Sequence, residues 1–256
     1  TDSKGKIVNN YYNLGTQSLT IKQGVQLAGD GSFASRIKYS GNKSAIILGA
    51  NTDKGNLAYG IALKNMSILL DDKNATGIEV NGTCGAICEN VYIEGPITGN
   101  RNSTAVRITG GVASSFFNTF INVICNHVHT GFSVSGQPPM VPTTSLFLNC
   151  TSFGDNESGS AGFVFDAYSG EGCNIIGGNI ESCDVGIKIQ GHGKNITVQG
   201  MRFEGNKTDI YNGPLSTGST FIGCVNIGKV VAEAGTGYDA NTFIGCIKPD
   251  GSPYNN

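Results

Sequence analysis

The chain has 256 residues, with 38 Gly, 26 Asn, no Trp and only 14% charged side chains. Its 17 basic and 19 acidic residues leave a net charge of -2 and form no basic stripe, which argues against a nucleic-acid partner. No stretch reaches the ~18 continuous apolar residues of a membrane span, and at 39% apolar the chain can bury a long core.

The opening TDSKGKIVNN is polar and carries no signal-peptide core. Beyond it, short apolar stretches alternate with Gly- and Asn-rich turns, because both residues tolerate left-handed backbone angles. An apolar-x-small pattern then recurs in chain order: Leu63-x-Asn65, Cys88-x-Asn90, Phe120-x-Asn122, Leu148-x-Cys150, Ile176-x-Gly178, Val198-x-Gly200, Ile222-x-Cys224 and Ile244-x-Cys246. The longest step between small positions runs from Asn90 to Asn122, and the shortest from Gly178 to Gly200 and from Cys224 to Cys246. The last two copies are identical as TFIGC, at 220–224 and 242–246.

A second ladder follows the first. Gly77–Val80, Ala105–Ile108, Gly131–Val134, Gly162–Phe165 and Gly186–Ile189 each alternate with period two, the pattern of a strand with one buried face. Each repeat therefore holds at least two short strands and has no room for a helix. A repeat of this length built only of strands matches one turn of a parallel β-helix, in which stacked rungs bury a core that one rung could not.

The predicted fold is all-β: a single-stranded right-handed parallel β-helix of roughly nine or ten rungs, one domain over residues 1–256. Equivalent positions should stack about 4.8 Å apart. Asn65, Asn90 and Asn122 are expected to form an internal amide ladder, and Cys150, Cys224 and Cys246 to share an inward column. In TFIGC, Ile and Cys are expected inward, with Phe221 and Phe243 outward at a partner interface. The eight cysteines form no dense framework, so they are read as reduced core residues.

The stretch NLGTQSLTIKQGVQLAGDGSFASRIKYSG, residues 13 to 41, resembles the opening rungs of the pectate-lyase-like β-helix superfamily, in particular its phage tailspike and tail-appendage branch. The motif Leu27-Ala28-Gly29-Asp30-Gly31 and the later FEGN turn at 203–206 carry that likeness. The resemblance implies a homotrimer on a virion tail or outside the cell, recognising a bacterial surface polysaccharide, with other tail proteins as partners. No rung shows several Asp at alternate positions as a calcium site would need, and no metal or cofactor is expected. The branch's PPGTY turn is absent, and neither the start nor the terminal KPDGSPYNN looks like a cap, so the chain reads as the shaft of a larger protein or as one capped by partners.

Polygalacturonase-like strings occur at Asn51-Thr52-Asp53, Asp71-Asp72, Gly191-His192-Gly193 and Arg36-Ile37-Lys38, but in the wrong order, and Asp72 and His192 are about five rungs apart. His192 is read as an ordinary turn residue. His127-Val128-His129 lacks further ligands for zinc and reads as a turn pair.

Acids recur near one position of the repeat: Glu94, Asp155 with Glu157, Glu181 and Glu204. Two readings stand. Glu181, Glu204 and Asp155 could serve as the carboxyls of a glycoside hydrolase or lyase, which for hydrolysis sit about 5–9.5 Å apart. Arg202, Asp184, Glu157 and Tyr168 would then bind substrate, with Arg202 as charge stabiliser. Alternatively, these acids cap turns by accepting backbone N–H bonds, and the chain is a non-catalytic receptor-binding or structural shaft. A free-standing secreted lyase or hydrolase is a further alternative. The three longest steps, between Asn90 and Gly178, place inserted loops at 95–104, 135–145, 154–161 and 166–173, where binding residues tend to sit. With Trp absent, Tyr168 and Phe116-Phe117 are the aromatic surfaces considered for stacking on a glycan.

Overall fold

The computed structural model describes residues 11–49, 56–97, 101–111, 113–166, 168–191, 193–233 and 241–254; Asn51-Thr52-Asp53 and His192 lie outside them. Among the described residues every regular element is a strand, and the strands stack in parallel from rung to rung.

Each rung contributes to three faces. On the first, Gln26–Ala28 pairs with the start of Ala62–Leu70, then with Ile87–Glu94, Thr119–Ile121, Leu146–Leu148, Asn174–Ile176, Thr197–Gln199, Ser219–Ile222 and Asn241–Ile244. The second continues from Arg36–Tyr39 through the ends of the two long strands to Ile124–Asn126, Thr151–Phe153, Asn179–Glu181 and Arg202–Glu204. The third is a separate nine-stranded sheet from Leu19–Ile21 to Val230–Ala232.

The corner between the first and second faces is set by one residue per rung with positive φ. Asn65, Asn90, Asn122 and Asn149 hold it with φ of 51–55°, and Gly177, Gly200, Gly223 and Gly245 with φ of 59–66°. A left-handed residue costs other side chains roughly 1–2 kcal/mol, which is why Asn and Gly share the position. Among the described residues eight such corners bound seven full turns, and the first and third faces each stack nine strands, the lower end of the nine or ten rungs expected.

The corners correct the expected register. At the first face the inward residues are Phe147, Ile175, Phe221 and Phe243, not Leu148, Ile176, Ile222 and Ile244. Phe221 is fully buried and stacks on Phe243 at 5.1 Å, so the Phe of TFIGC is a core residue. Where both candidates are apolar, alternation alone cannot choose between them, and a one-residue slip inverts every side chain. Cys150, Cys224 and Cys246 do point inward, just past the corner.

The amide ladder is also real but lies on the outside. Asn90 Nδ2 donates to Asn65 Oδ1 at 3.0 Å, Asn122 to Asn90 at 3.0 Å, and Asn149 to Asn122 at 2.9 Å. Asn90, Asn122 and Asn149 are exposed.

Inside, aromatic rings stack along two faces: Phe120 on Phe147 at 5.0 Å, and Phe132 on Phe163 at 4.5 Å. Phe147 meets Phe132 and Phe163 edge-on, joining the two columns across the core. All eight cysteines are free and all but Cys84 are buried; burial pushes the Cys150 thiol up to about 12, so it stays protonated at neutral pH. The FEGN turn ties rungs together. Asn206 accepts from Cys183 N–H at 2.9 Å and donates to the Ile180 carbonyl at 3.1 Å. Contrary to expectation, KPDGSPY folds back: Ile247 bridges Pro253 and Tyr254 lies 4.6 Å from Phe243, covering part of the last rung.

Replacing Phe147 with Ala removes a ring shared by both aromatic columns. The expected loss is about 3–5 kcal/mol of unfolding free energy, measured by urea denaturation of both proteins.

Candidate functional site

The second-face strands ending at Glu94 and Phe153 are followed by the third-face strands that begin at Thr104 and Ala161, so both connections belong to one corner. Between them the intervening rung turns through His127 and His129. Gly95 allows the first loop to pass close to that turn, since a Cβ there would lie 2.1 Å from the His127 carbonyl oxygen.

Arg101 is the centre of this corner, only 5% exposed. Its Nε donates to Glu157 Oε2 at 2.7 Å, its Nη1 to Asp155 Oδ2 at 2.6 Å, and its backbone N–H to Glu157 Oε1 at 2.5 Å. His127 Nδ1 lies 2.6 Å from the same Asp155 oxygen, and His129 Nδ1 3.9 Å from Glu157. Burial would raise both carboxyls, but for Asp155 the bonds from His127 and Arg101, and for Glu157 those from Arg101, outweigh it and hold each below the ordinary range. Two acids thus balance a buried guanidinium and clamp two loops over the rung between them. Sequence reasoning misses this role because Arg101 and its acids are 54 and 56 residues apart.

Asp184 is placed as a turn cap. It accepts from Gly159 N–H at 2.7 Å and pairs with Lys207 at 3.0 Å; these two contacts hold its carboxyl below the ordinary range.

Glu181 and Glu204 stand apart from the clamp, on the outward side of the second face. They are register partners on adjacent strands, hence about 4.8 Å apart at the backbone. Asn179 donates to Glu181 at 3.2 Å, and Arg202 pairs with Glu204 at 2.8 Å. Phe153 is the partner of Glu181 on the preceding rung, and Asp155 follows it by two positions at the edge of the same patch. The structure therefore brings Glu181, Glu204 and Arg202 together, with Asp155 and Glu157 at the neighbouring corner. Tyr168 is elsewhere, on the connection from the third face to the first, beside Pro138, Pro139 and Lys194. Phe117 is exposed, with Phe116 edge-on at 5.4 Å. Among the described residues no group of three or more His, Cys, Asp or Glu is arranged to hold a metal ion, and no helix is long and apolar enough to cross a membrane.

No protein-family model matches the chain, and no curated protein matches it. Among solved structures it is similar to the A-module of the mannuronan C-5 epimerase AlgE4 of Azotobacter vinelandii, with TM-score 0.46 and 16% identity over 88% of this chain and 66% of that one. For the AlgE6 A-module of the same organism the values are 0.49 and 15%, over 93% and 69%. For ORF18 of Geobacillus virus E2 they are 0.48 and 14%, over 93% and 51%. The chain thus spans from half to about two thirds of those structures, and at these identities no residue inherits a role.

Removing the cation from a buried pair leaves its acids uncompensated, so Arg101→Ala should cost about 3–5 kcal/mol, read by urea denaturation. The lowered Asp155 and Glu157 carboxyls add stability that is fully present above the ordinary carboxylate values and is lost as the pH falls through the lower folded ones. The urea midpoint of the wild type should therefore drop more steeply below about pH 4 than that of Arg101→Ala.

Proposed function

We propose that this chain is a tailspike-type β-helix that recognises a bacterial surface polysaccharide along the outward side of its second face. The observation that carries the reading is the composition of that face. Two outward columns run side by side along it, Tyr92, Ile124, Thr151, Asn179 and Arg202 in one and Glu94, Asn126, Phe153, Glu181 and Glu204 in the other, offering aromatic, amide and charged groups on successive rungs. A rigid parallel sheet holds such groups at fixed spacing, which suits a repeating ligand. The clamped loops at its edge support this reading by extending the wall of that face.

A specific observation favours a second reading, depolymerisation. Glu181 and Glu204 are direct register partners, a backbone spacing compatible with two cooperating carboxyls. Asp155, held ionised by its partners, would stabilise charge rather than donate a proton.

The tailspike reading includes a homotrimer on a virion tail or in an extracellular setting, in contact with other tail proteins. The Phe residues of TFIGC do not support the trimer, since Phe221 is buried and Phe243 partly buried against the core, but the Ile residues beside them do. Ile121, Leu148, Ile176, Gln199, Ile222 and Ile244 are register partners on the outward side of the first face, with Ile244 53% exposed. Isolated exposed aliphatics are ordinary, whereas an aligned row suits packing against another copy.

The test is incubation with capsular, O-chain and teichoic polysaccharides, scoring binding and new reducing ends or unsaturated products. Binding to at least one is expected; none across the panel would sink the proposal. If products appear, Glu181→Gln or Glu204→Gln should slow their formation by about 10²–10⁴-fold while binding persists, and full activity in both variants would remove the carboxyl assignment. Light scattering should give a trimer mass that Ile176→Asp lowers to that of a monomer.

A further inference from the structure

The rung-to-rung amide ladder continues into a pocket that the Glu181 and Glu204 patch does not use. Residues 29–35 fold back over the first corner, with Gly29 N–H donating to the Lys64 carbonyl at 2.9 Å and Gly31 N–H to the Asn65 carbonyl at 3.1 Å. The Ser67 hydroxyl donates to the Ser32 carbonyl and fastens this loop to the next rung. Phe33 is thereby carried outward, 72% exposed, with its ring 5.8 Å from that of Tyr92. Ile124 extends the apolar wall, and the floor is Asn65, Asn90 and Asn122.

The chemistry of this pocket can be read group by group. An Asn amide has two N–H donors and two acceptor positions on its oxygen. Asn90 and Asn122 each use one donor and one acceptor position within the ladder, so each presents one N–H and one lone pair outward. Those unused groups repeat at the rung spacing of about 4.8 Å, beside a half-buried phenol and an exposed phenyl ring. Asn126 Nδ2 donates to the Tyr92 hydroxyl at 2.9 Å and fixes that ring in place. Among the described residues no charged side chain lines the pocket.

We infer that this pocket is a saccharide subsite in which a neutral pyranose unit stacks an apolar face on Phe33 and Tyr92 and hydrogen-bonds its hydroxyls to Asn90 and Asn122. The inference rests on the polysaccharide reading above and adds to it the place and class of one bound unit. Neutral units are specified because a uronate or phosphate would be desolvated without a cation to pair with. The pocket opens on the same side as Tyr92 and Asn126, so one chain lying along the solenoid axis would run from it toward Glu181, Glu204 and Arg202.

Two variants leave the fold intact. Phe33 is on the surface, so Phe33→Ala removes the ring without opening the core. The double variant Asn90→Gly with Asn122→Gly keeps left-handed corners, since glycine already holds that position at Gly177, Gly200, Gly223 and Gly245. Far-ultraviolet circular dichroism confirms folding before binding is measured on an array of neutral O-chain, neutral capsular and polyanionic teichoic glycans. Wild type should bind at least one neutral glycan, and each variant should weaken that binding at least tenfold. Unchanged affinity in both variants would overturn the subsite while leaving polysaccharide recognition standing. Binding confined to polyanionic glycans would overturn the neutral assignment, and no binding by wild type would remove both readings.

Discussion

The structure depends on one backbone requirement: at the corner between its first and second faces the chain must turn sharply while both flanking strands stay in their parallel ladders. A single left-handed residue achieves this, and among the described residues the chain supplies it eight times as Asn or Gly. From that turn follows which residues of each rung point inward, and hence the aromatic stacks, the cysteine column and the outward rows. The choice between Asn and Gly adds a second layer. The four early corners carry amides that bond from rung to rung, and the later four carry nothing beyond backbone.

That division coincides with a division of chemistry along the solenoid. Around the early rungs the exposed groups are amides and aromatic rings, with Phe33 brought in by a folded-back loop. Around the later rungs they are the Glu181, Arg202 and Glu204 row. Between them, Arg101 and its two acids clamp the inserted loops to the scaffold. A buried, doubly paired arginine is costly to desolvate, and its geometric effect is to hold two loops in one arrangement. Part of the lengthening of the middle rungs is thus gathered at one corner, held rigidly enough to shape the adjoining face.

Much of the fold is legible because solenoid rungs repeat. Self-similarity at the rung interval, period-two alternation and recurrent Gly and Asn are enough to expect parallel rungs, and they pick out the Asn positions at 65, 90 and 122 as a set. Stacking of Glu181 over Glu204 also follows from counting residues between rungs. The errors arise where two neighbouring positions are both apolar. In TFIGC, Phe and Ile satisfy the same alternation, and only the left-handed φ of the following Gly shows that Phe faces the core.

Sequence periodicity by itself determines the architecture because each rung makes the same local contacts as its neighbours, so one pattern is read many times. The functional corners are different. Arg101 finds Asp155 and Glu157 on a loop far along the chain, and Phe33 reaches Tyr92 only because residues 29–35 fold back over Asn65. Each of these contacts occurs once, between loops of unequal length. No repeat announces it, and only the stacking of the whole solenoid brings the partners within reach.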